Sequence, residues 1–170
     1  MAKMKIMAVC EAVLKASADY KAGKRKSKYV VNGVRFDLSE RGLCQRNVRK
    51  GYEAATGNGM PGAACCAGRT FKNLKAMPKS LFAWRDALAK PWAQVVGKLE
   101  PGDFLYFSGG RACGTCGREV GHVGIWMGTH EGAEWMFQNT VRDQLGTTRE
   151  GPTTSQKARF LGAFRFAGVQ

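Results

Sequence analysis

The sequence predicts an α+β protein, because helix-like and strand-like hydrophobic patterns occupy different parts of the chain. Apolar residues recur at helical spacing near the N terminus and again after Leu38. Three short apolar runs separated by glycine-rich turns lie between Leu99 and Thr140, a pattern typical of adjacent antiparallel strands. The chain has 170 residues with no internal repeat or low-complexity linker, so we expect one domain across 1–170 with its own core.

The N-terminal segment, residues 1–37, is expected to form a helix, a basic loop and a hairpin. The apolar residues at helical spacing are Ile6, Val9, Val13 and Leu14. The first residues imitate a signal peptide, but Glu11 and Lys15 interrupt the apolar stretch. We therefore expect a chain made in the cytoplasm without a signal peptide and without a membrane span. Further on, Asn32-Gly33 favours a tight turn between two short strands.

The remaining residues, 38–170, are expected to form the rest of the domain. Asp37 or Ser39 is predicted to cap a helix that ends at Gly57. A short helix is predicted over RTFKNLKAM, and another, capped by Ser80, over LFAWRDALAK. The last element, ARFLGAFRF, is predicted to be a closing strand.

The formal charge of +14 and a pI near 9.9 indicate a protein drawn to polyanions by salt-sensitive attraction. Nucleic acid, anionic lipid and anionic cell-wall polymer all have the required charge. The cationic residues are scattered apart from the run Lys21–Lys28. No helix-turn-helix, ribonucleoprotein or zinc-finger pattern accompanies them, so sequence-specific nucleic-acid binding is not indicated.

A histidine, His122, lies at the start of the second strand-like run, GHVGIWMG. Alternation along this run assigns Val123, Ile125 and Met127 to a core face, and His122, Gly124 and Trp126 to the opposite face. We expect Gly124 to leave room for a substrate chain lying close to the backbone. His122 is therefore a candidate catalytic residue.

Cys44 is the candidate nucleophile. It falls in the first turns of a predicted helix, where the macrodipole favours a thiolate and unpaired N–H groups can receive an oxyanion. A core cysteine is the alternative, since Cys44 shares an apolar face with Val48 and Tyr52. The downstream His122 favours the nucleophile, and we expect Cys44 to be the fastest-reacting of the six cysteines.

Four phrases of the sequence follow one another in the order of a known enzyme family. Leu99–Phe107 is similar to L-x-P-G-D-L-V-F-F, Gly121–Gly128 to G-H-V-G-I-Y-x-G, and Met136–Thr140 to V-I-H-N-T. FLGAFRF is similar to the end of R-F-x-G-A-x-R, whereas Leu43-Cys44-Gln45 stands where the family has D-C-S-G. The chain thus resembles the NlpC-type, papain-like cysteine peptidases and amidases that cut peptidoglycan peptides. This resemblance implies a papain-like core over 38–170, with N-terminal helices packed on a small antiparallel sheet.

The resemblance also implies a role for each candidate site residue. Cys44 becomes the nucleophile and His122 the base that shares its proton. Alignment with V-I-H-N-T selects Gln138 as the third, orienting residue, whereas papain's own Cys-His-Asn usage selects Asn139. Neighbouring strand residues point to opposite faces, so only one of them can serve. We prefer Gln138, whose side-chain carbonyl would accept a hydrogen bond from the ring of His122.

As a function, the resemblance implies a peptidoglycan hydrolase that cleaves an amide bond of the wall peptide without a cofactor. Its partners would be peptidoglycan and anionic cell-wall polymer, and we expect a monomer that reaches the wall after release or delivery. A phage lysin is the preferred interpretation. An injected antibacterial amidase effector is one alternative. A catalytically silent papain-like basic module that binds cell wall or nucleic acid is the other.

Four further cysteines fall in two loops. Cys113 and Cys116 have the C-x-x-C spacing of half a zinc site, and Cys65 or Cys66 is available to add thiolates. A structural zinc ion, a disulfide formed later and free thiols all remain open at this point.

Overall fold

The computed structural model describes residues 5–139 and 151–169. Its helices are α1 (Ile6–Lys21), α2 (Cys44–Thr56), α3 (Ala67–Ala76), α4 (Trp92–Val95) and α5 (Thr154–Lys157). Its strands are β1 (Lys28–Val31), β2 (Val34–Asp37), β3 (Phe82–Asp86), β4 (Phe104–Phe107), β5 (His122–His130), β6 (Ala133–Phe137) and β7 (Phe160–Phe166). The predicted α+β class is confirmed. Within these residues, no helix has both the length and the apolar character that crossing a bilayer requires.

Two antiparallel sheets are present. The predicted hairpin is confirmed as the pair β1–β2, with Asn32 and Gly33 at positive φ in the turn. The other sheet has five strands in the order β3-β7-β4-β5-β6, and every neighbouring pair is antiparallel. The predicted strands near Leu99 to Thr140 correspond to β4, β5 and β6; Thr140 itself lies outside the described residues. The closing strand is β7, which lies between β3 and β4.

The core lies between the sheet and the N-terminal helices. Helix α2 packs against β5 and α1 packs against α2. The predicted core face of β5 is confirmed, since Val123, Ile125 and Met127 all belong to this main core. The Ile6 amide also donates to the Val169 carbonyl at 3.2 Å, which ties the start of α1 to the end of the described chain.

The opposite face of β5 carries a second, smaller core. Trp126 is buried there, and its ring lies 5.8 Å from that of Trp92, centroid to centroid. The expectation that Gly124 leaves space for a substrate is wrong. A Cβ on Gly124 would lie only 2.6 Å from the Cγ and Sδ atoms of Met136, so the glycine makes room for a neighbouring side chain.

The helix predicted after Ser80 is also wrong. Only Lys79–Leu81 forms a short 3-10 turn, and the following residues form the edge strand β3, paired with β7. Phe82 packs its ring 5.3 Å from those of Phe164 and Phe166. This tertiary packing and the pairing with β7 override the local helix propensity.

Helix α2 begins later than its predicted caps. Its N-cap is Leu43, which makes no side-chain cap, whereas Asp37 belongs to β2 and accepts a hydrogen bond from the Ser39 amide at 3.1 Å. The capping prediction is therefore wrong at this end. The predicted C-terminal end is confirmed, because Gly57 adopts a left-handed φ of 75° there.

A buried ion pair fixes the turn before β4. The Asp103 carboxylate is fully buried and accepts from Arg165 Nε at 2.8 Å and Nη2 at 3.0 Å. It also accepts from the Glu100 amide at 2.9 Å. Asp103 of the P-G-D motif and Arg165 of the closing strand thus hold β4 and β7 in place.

We predict that Arg165→Met lowers the free energy of unfolding by about 3–5 kcal/mol, because it leaves the Asp103 charge buried without its partner. Urea unfolding measures the change. The matched control is Arg35→Met on an exposed site of β2, which should change stability by less than about 0.5 kcal/mol. Equal, small losses in the two variants would contradict the structural role of the pair.

Candidate active site

Cys44 is the first residue of α2, and 7% of its surface is exposed. The turn before it is held by Asn139, which follows the end of β6. Asn139 Oδ1 accepts from the Leu43 amide at 2.6 Å, and its Nδ2 donates to the Glu40 carbonyl at 2.9 Å. One side chain therefore binds two backbone groups of the turn that leads into Cys44.

His122 is the first residue of β5 and is held by a chain of amide side chains. Its Nε2 lies 2.9 Å from Gln138 Oε1, and that same oxygen accepts from Gln156 Nε2 at 2.9 Å. Gln156 Oε1 in turn accepts from the Thr153 amide at 2.8 Å, in the capping box that opens α5. A series of hydrogen bonds therefore connects the His122 ring to the N-terminal end of α5.

Gln138 and Asn139 therefore do different things. Gln138 contacts the ring of His122, whereas Asn139 contacts the backbone before Cys44. Their side chains separate because consecutive residues of an extended chain point in opposite directions. Both residues are buried.

The Cys44 sulfur lies beside the start of β5, because the Val123 amide hydrogen-bonds it. Two adjoining cavities of about 590 Å³ and about 770 Å³ meet here, and we call them together the groove. Both are lined by Gly42, Cys44, Arg111 and Val120. His122 lines the larger cavity, so Cys44 and His122 open onto the same space.

The groove is cationic. The arginines that line it are Arg46, Arg49, Arg111 and Arg159. Among the described residues that line either cavity there is no Asp or Glu. Arg46 is paired with Glu40 at 3.0 Å, which leaves the lining with a net positive charge. Such a groove favours a ligand that carries carboxylate or phosphate groups.

Burial sets the protonation state of the two candidate catalytic groups. It raises the pKa of the Cys44 thiol, against the opposing effect of the Val123 amide. It lowers the pKa of His122, where the Gln138 hydrogen bond acts in the opposite sense and the charge of Arg159 lowers the pKa further. The resting pair is thus a neutral thiol and a neutral imidazole. The thiolate expected from the helix macrodipole is outweighed by desolvation of the sulfur.

Three residues near the pair were missed from the sequence. Gln156 was not predicted as a site residue, although its T-x-x-Q spacing with Thr153 is the signature of a capping box. Arg159 gave no signal of its own. Tyr106 has a buried hydroxyl with no partner in the described part of the chain, and burial, then the nearby Cys44, raises its pKa.

The four remaining loop cysteines form a cluster that could bind a metal ion. All four Sγ atoms, of Cys65, Cys66, Cys113 and Cys116, lie within 4.8 Å of one another. Hydrogen bonds from the Thr115 and Cys116 amides lower the pKa of the Cys113 thiol to about 6. The pKa of the Cys113 thiol is therefore lower than that of Cys44, and the order in which the thiols react stays a prediction. Cys10, by contrast, is fully buried in the main core.

We predict that Gln138→Ala lowers the pKa of His122, because it removes the hydrogen bond that favours the charged ring. Asn139→Ala should leave that pKa unchanged. It should instead lower the free energy of unfolding by about 1–3 kcal/mol, since two backbone groups lose their partner. NMR titration of the ring protons measures the pKa, with the exposed His130 as internal reference. A shift in Asn139→Ala but not in Gln138→Ala would assign the orienting role to Asn139.

No protein-family model, no curated protein and no solved structure matches this chain. The case for a function therefore depends on the residues of the groove themselves: a thiol at a helix start, an imidazole on the adjacent strand and an amide that holds the imidazole.

Proposed function

We propose that the protein is a papain-like cysteine hydrolase that cleaves an amide bond of the peptidoglycan peptide. The observation that carries this proposal is that Cys44, at the start of α2, and His122, whose ring is held by Gln138, line the same cavity. A thiol, a base and an orienting amide are the groups that nucleophilic acyl transfer requires. The order of the elements agrees with the NlpC-type resemblance of the sequence.

The hydrogen bonds of Gln138 assign the histidine tautomer. Its Oε1 already accepts from Gln156 Nε2, so it acts as an acceptor toward His122 as well. His122 Nε2 therefore carries the ring proton, which leaves Nδ1 as the basic nitrogen. Nδ1 takes the proton of Cys44 as the sulfur attacks.

Acyl transfer then proceeds in two steps. The Cys44 sulfur bonds to the amide carbonyl carbon, and the backbone N–H at the start of α2 stabilises the oxyanion. The carbon–nitrogen bond breaks as the His122 imidazolium protonates the leaving amine. A water molecule next gives a proton to His122 and attacks the thioester, which releases a carboxylate and restores the thiol.

The nucleophile, the base and the oxyanion donor all come from the chain, so the proposed chemistry requires no cofactor. The four-cysteine cluster has no part in these steps. The cationic groove suits the carboxylates of a wall peptide, and the overall charge suits an anionic wall. We propose a monomeric phage lysin as the biological setting, acting on the wall after release; an injected amidase effector would use the same site.

We predict that Cys44→Ala abolishes the release of peptide fragments from purified peptidoglycan, by about three orders of magnitude or more, while binding to walls persists. Mass spectrometry of the soluble fragments measures release, and sedimentation with walls measures binding. The matched control is Cys10→Ala, which removes a buried thiol outside the groove and should keep full activity.

Undiminished fragment release by Cys44→Ala would overturn the mechanism. Wall binding by the unmodified protein without any fragment release would favour the catalytically silent binding module instead.

Wall binding by the inactive Cys44→Ala protein should weaken steeply between about 0.1 M and 1 M salt, because the screening length falls from about 10 Å to about 3 Å. The formal charge of +14 is the physical reason. Sedimentation with isolated walls across a salt series measures this effect, and hydrolysis of a soluble neutral wall peptide by the active protein is the control. Binding that is flat with salt would show that recognition is not electrostatic.

A further inference from the structure

The sulfur atoms of the four-cysteine cluster lie close enough together to bind one metal ion. The sulfur atoms of Cys66 and Cys116 are 3.7 Å apart, as are those of Cys65 and Cys113, and no two of the four are more than 4.8 Å apart. A zinc ion with four Zn–S bonds of about 2.3 Å places its ligands about 3.8 Å from one another. The sulfurs are therefore already at metal-binding separations.

Backbone amides point at these sulfurs, as they do where thiolates are stabilised. The amides of Thr115 and Cys116 hydrogen-bond the Cys113 sulfur, and Gly117 closes the turn with a φ of 66° and a 2.8 Å bond to the Cys113 carbonyl. On the other side, Cys66 is the N-cap of α3 and accepts from the Arg69 amide at 3.4 Å. Backbone amides therefore hold sulfur atoms in place on both sides of the cluster.

The loop that carries two of the cysteines lacks a core of its own. Residues 108–121 connect β4 to β5, and none of them is buried. Its regular pairing is a single bridge between Ala112 and Glu119. A segment of this length without apolar burial depends on another source of order, and small metal sites commonly provide it.

The cluster sits where this loop meets the start of α3. The Gly68 amide donates to the Val120 carbonyl at 2.9 Å, and a Cβ on Gly68 would lie 2.3 Å from the Glu119 carbonyl oxygen. Two cysteines come from each side of this contact. The joined segments form a wall of the groove and lead directly into His122.

We propose that the four-cysteine cluster binds one Zn²⁺ ion as four thiolates and so fastens the β4–β5 loop to the start of α3. Four thiolates and one Zn²⁺ carry a net charge of −2. Because all four positions are filled by protein, the site is structural and leaves the chemistry to Cys44. The ion holds a wall of the groove; this last consequence rests on the proposed hydrolase function.

The test is the metal content of the full-length protein, purified under reducing conditions from cells grown with added zinc. Elemental analysis should find about one zinc ion per chain. Cobalt(II) titrated into the zinc-free protein should give the sulfur-to-cobalt charge-transfer and d–d bands of a tetrahedral thiolate site. Each of Cys65→Ser, Cys66→Ser, Cys113→Ser and Cys116→Ser should bind Zn²⁺ at least about tenfold more weakly.

Cys44→Ala and Cys10→Ala are the matched controls and should retain the full zinc content. Zinc content in the Cys44→Ala protein tests this proposal separately from the hydrolase proposal, because metal binding is then measured without hydrolase activity. If the ligand variants fail to fold, counting the reactive thiols of the unmodified protein still tests the proposal. Four thiols should be unreactive while zinc is bound and should become reactive when a chelator removes the zinc.

Four results would overturn the assignment. One is four freely reacting thiols with no zinc and no cobalt spectrum. Another is a mass lower by two or four hydrogens in the protein purified without reductant and free of metal, which identifies disulfides. The third is iron in place of zinc. Full zinc affinity in Cys65→Ser would contradict the four-thiolate site.

Discussion

Two hydrogen bonds made by the Asn139 side chain determine how the candidate site is assembled. They join the end of β6 to the turn before α2, and so bring together parts of the chain that are 96 residues apart in sequence. Because Asn139 faces that turn, its neighbour Gln138 faces His122. Gln138 and Asn139 therefore position both the imidazole of His122 and the helix that begins at Cys44.

Desolvation then decides the chemistry that this arrangement can support. Burial raises the pKa of Cys44 and lowers that of His122, so both groups rest in their neutral forms. A neutral pair needs a base placed accurately, since proton transfer must accompany attack by the sulfur. The chain from Gln138 through Gln156 to the capping box at Thr153 supplies that placement. Arg159 adds a positive charge that keeps the imidazole unprotonated.

Strand periodicity was enough to predict the core face of β5 and the histidine at its start, because alternation depends only on local backbone geometry. Predictions from the sequence were wrong where a residue distant in sequence determines the local structure. β3 forms a strand because β7 pairs with it, and Gly124 is small because Met136 on β6 needs the space. From the sequence, Cys65 or Cys66 was a candidate to complete a zinc site. The fold brings both to the cluster, because they directly precede α3 and the start of α3 contacts the β4–β5 loop. The neutral state of Cys44 depends on burial, which helix position alone does not reveal.

The covalent intermediate is the most direct consequence of acyl transfer by Cys44. Rapid acid quenching of the protein during turnover of peptidoglycan fragments, followed by peptide mapping with mass spectrometry, would detect it. The acyl-transfer proposal predicts a thioester-linked acyl group on the peptide that contains Cys44. Steady release of fragments with Cys44 unmodified at every time sampled, or an acyl group on another residue, would contradict it.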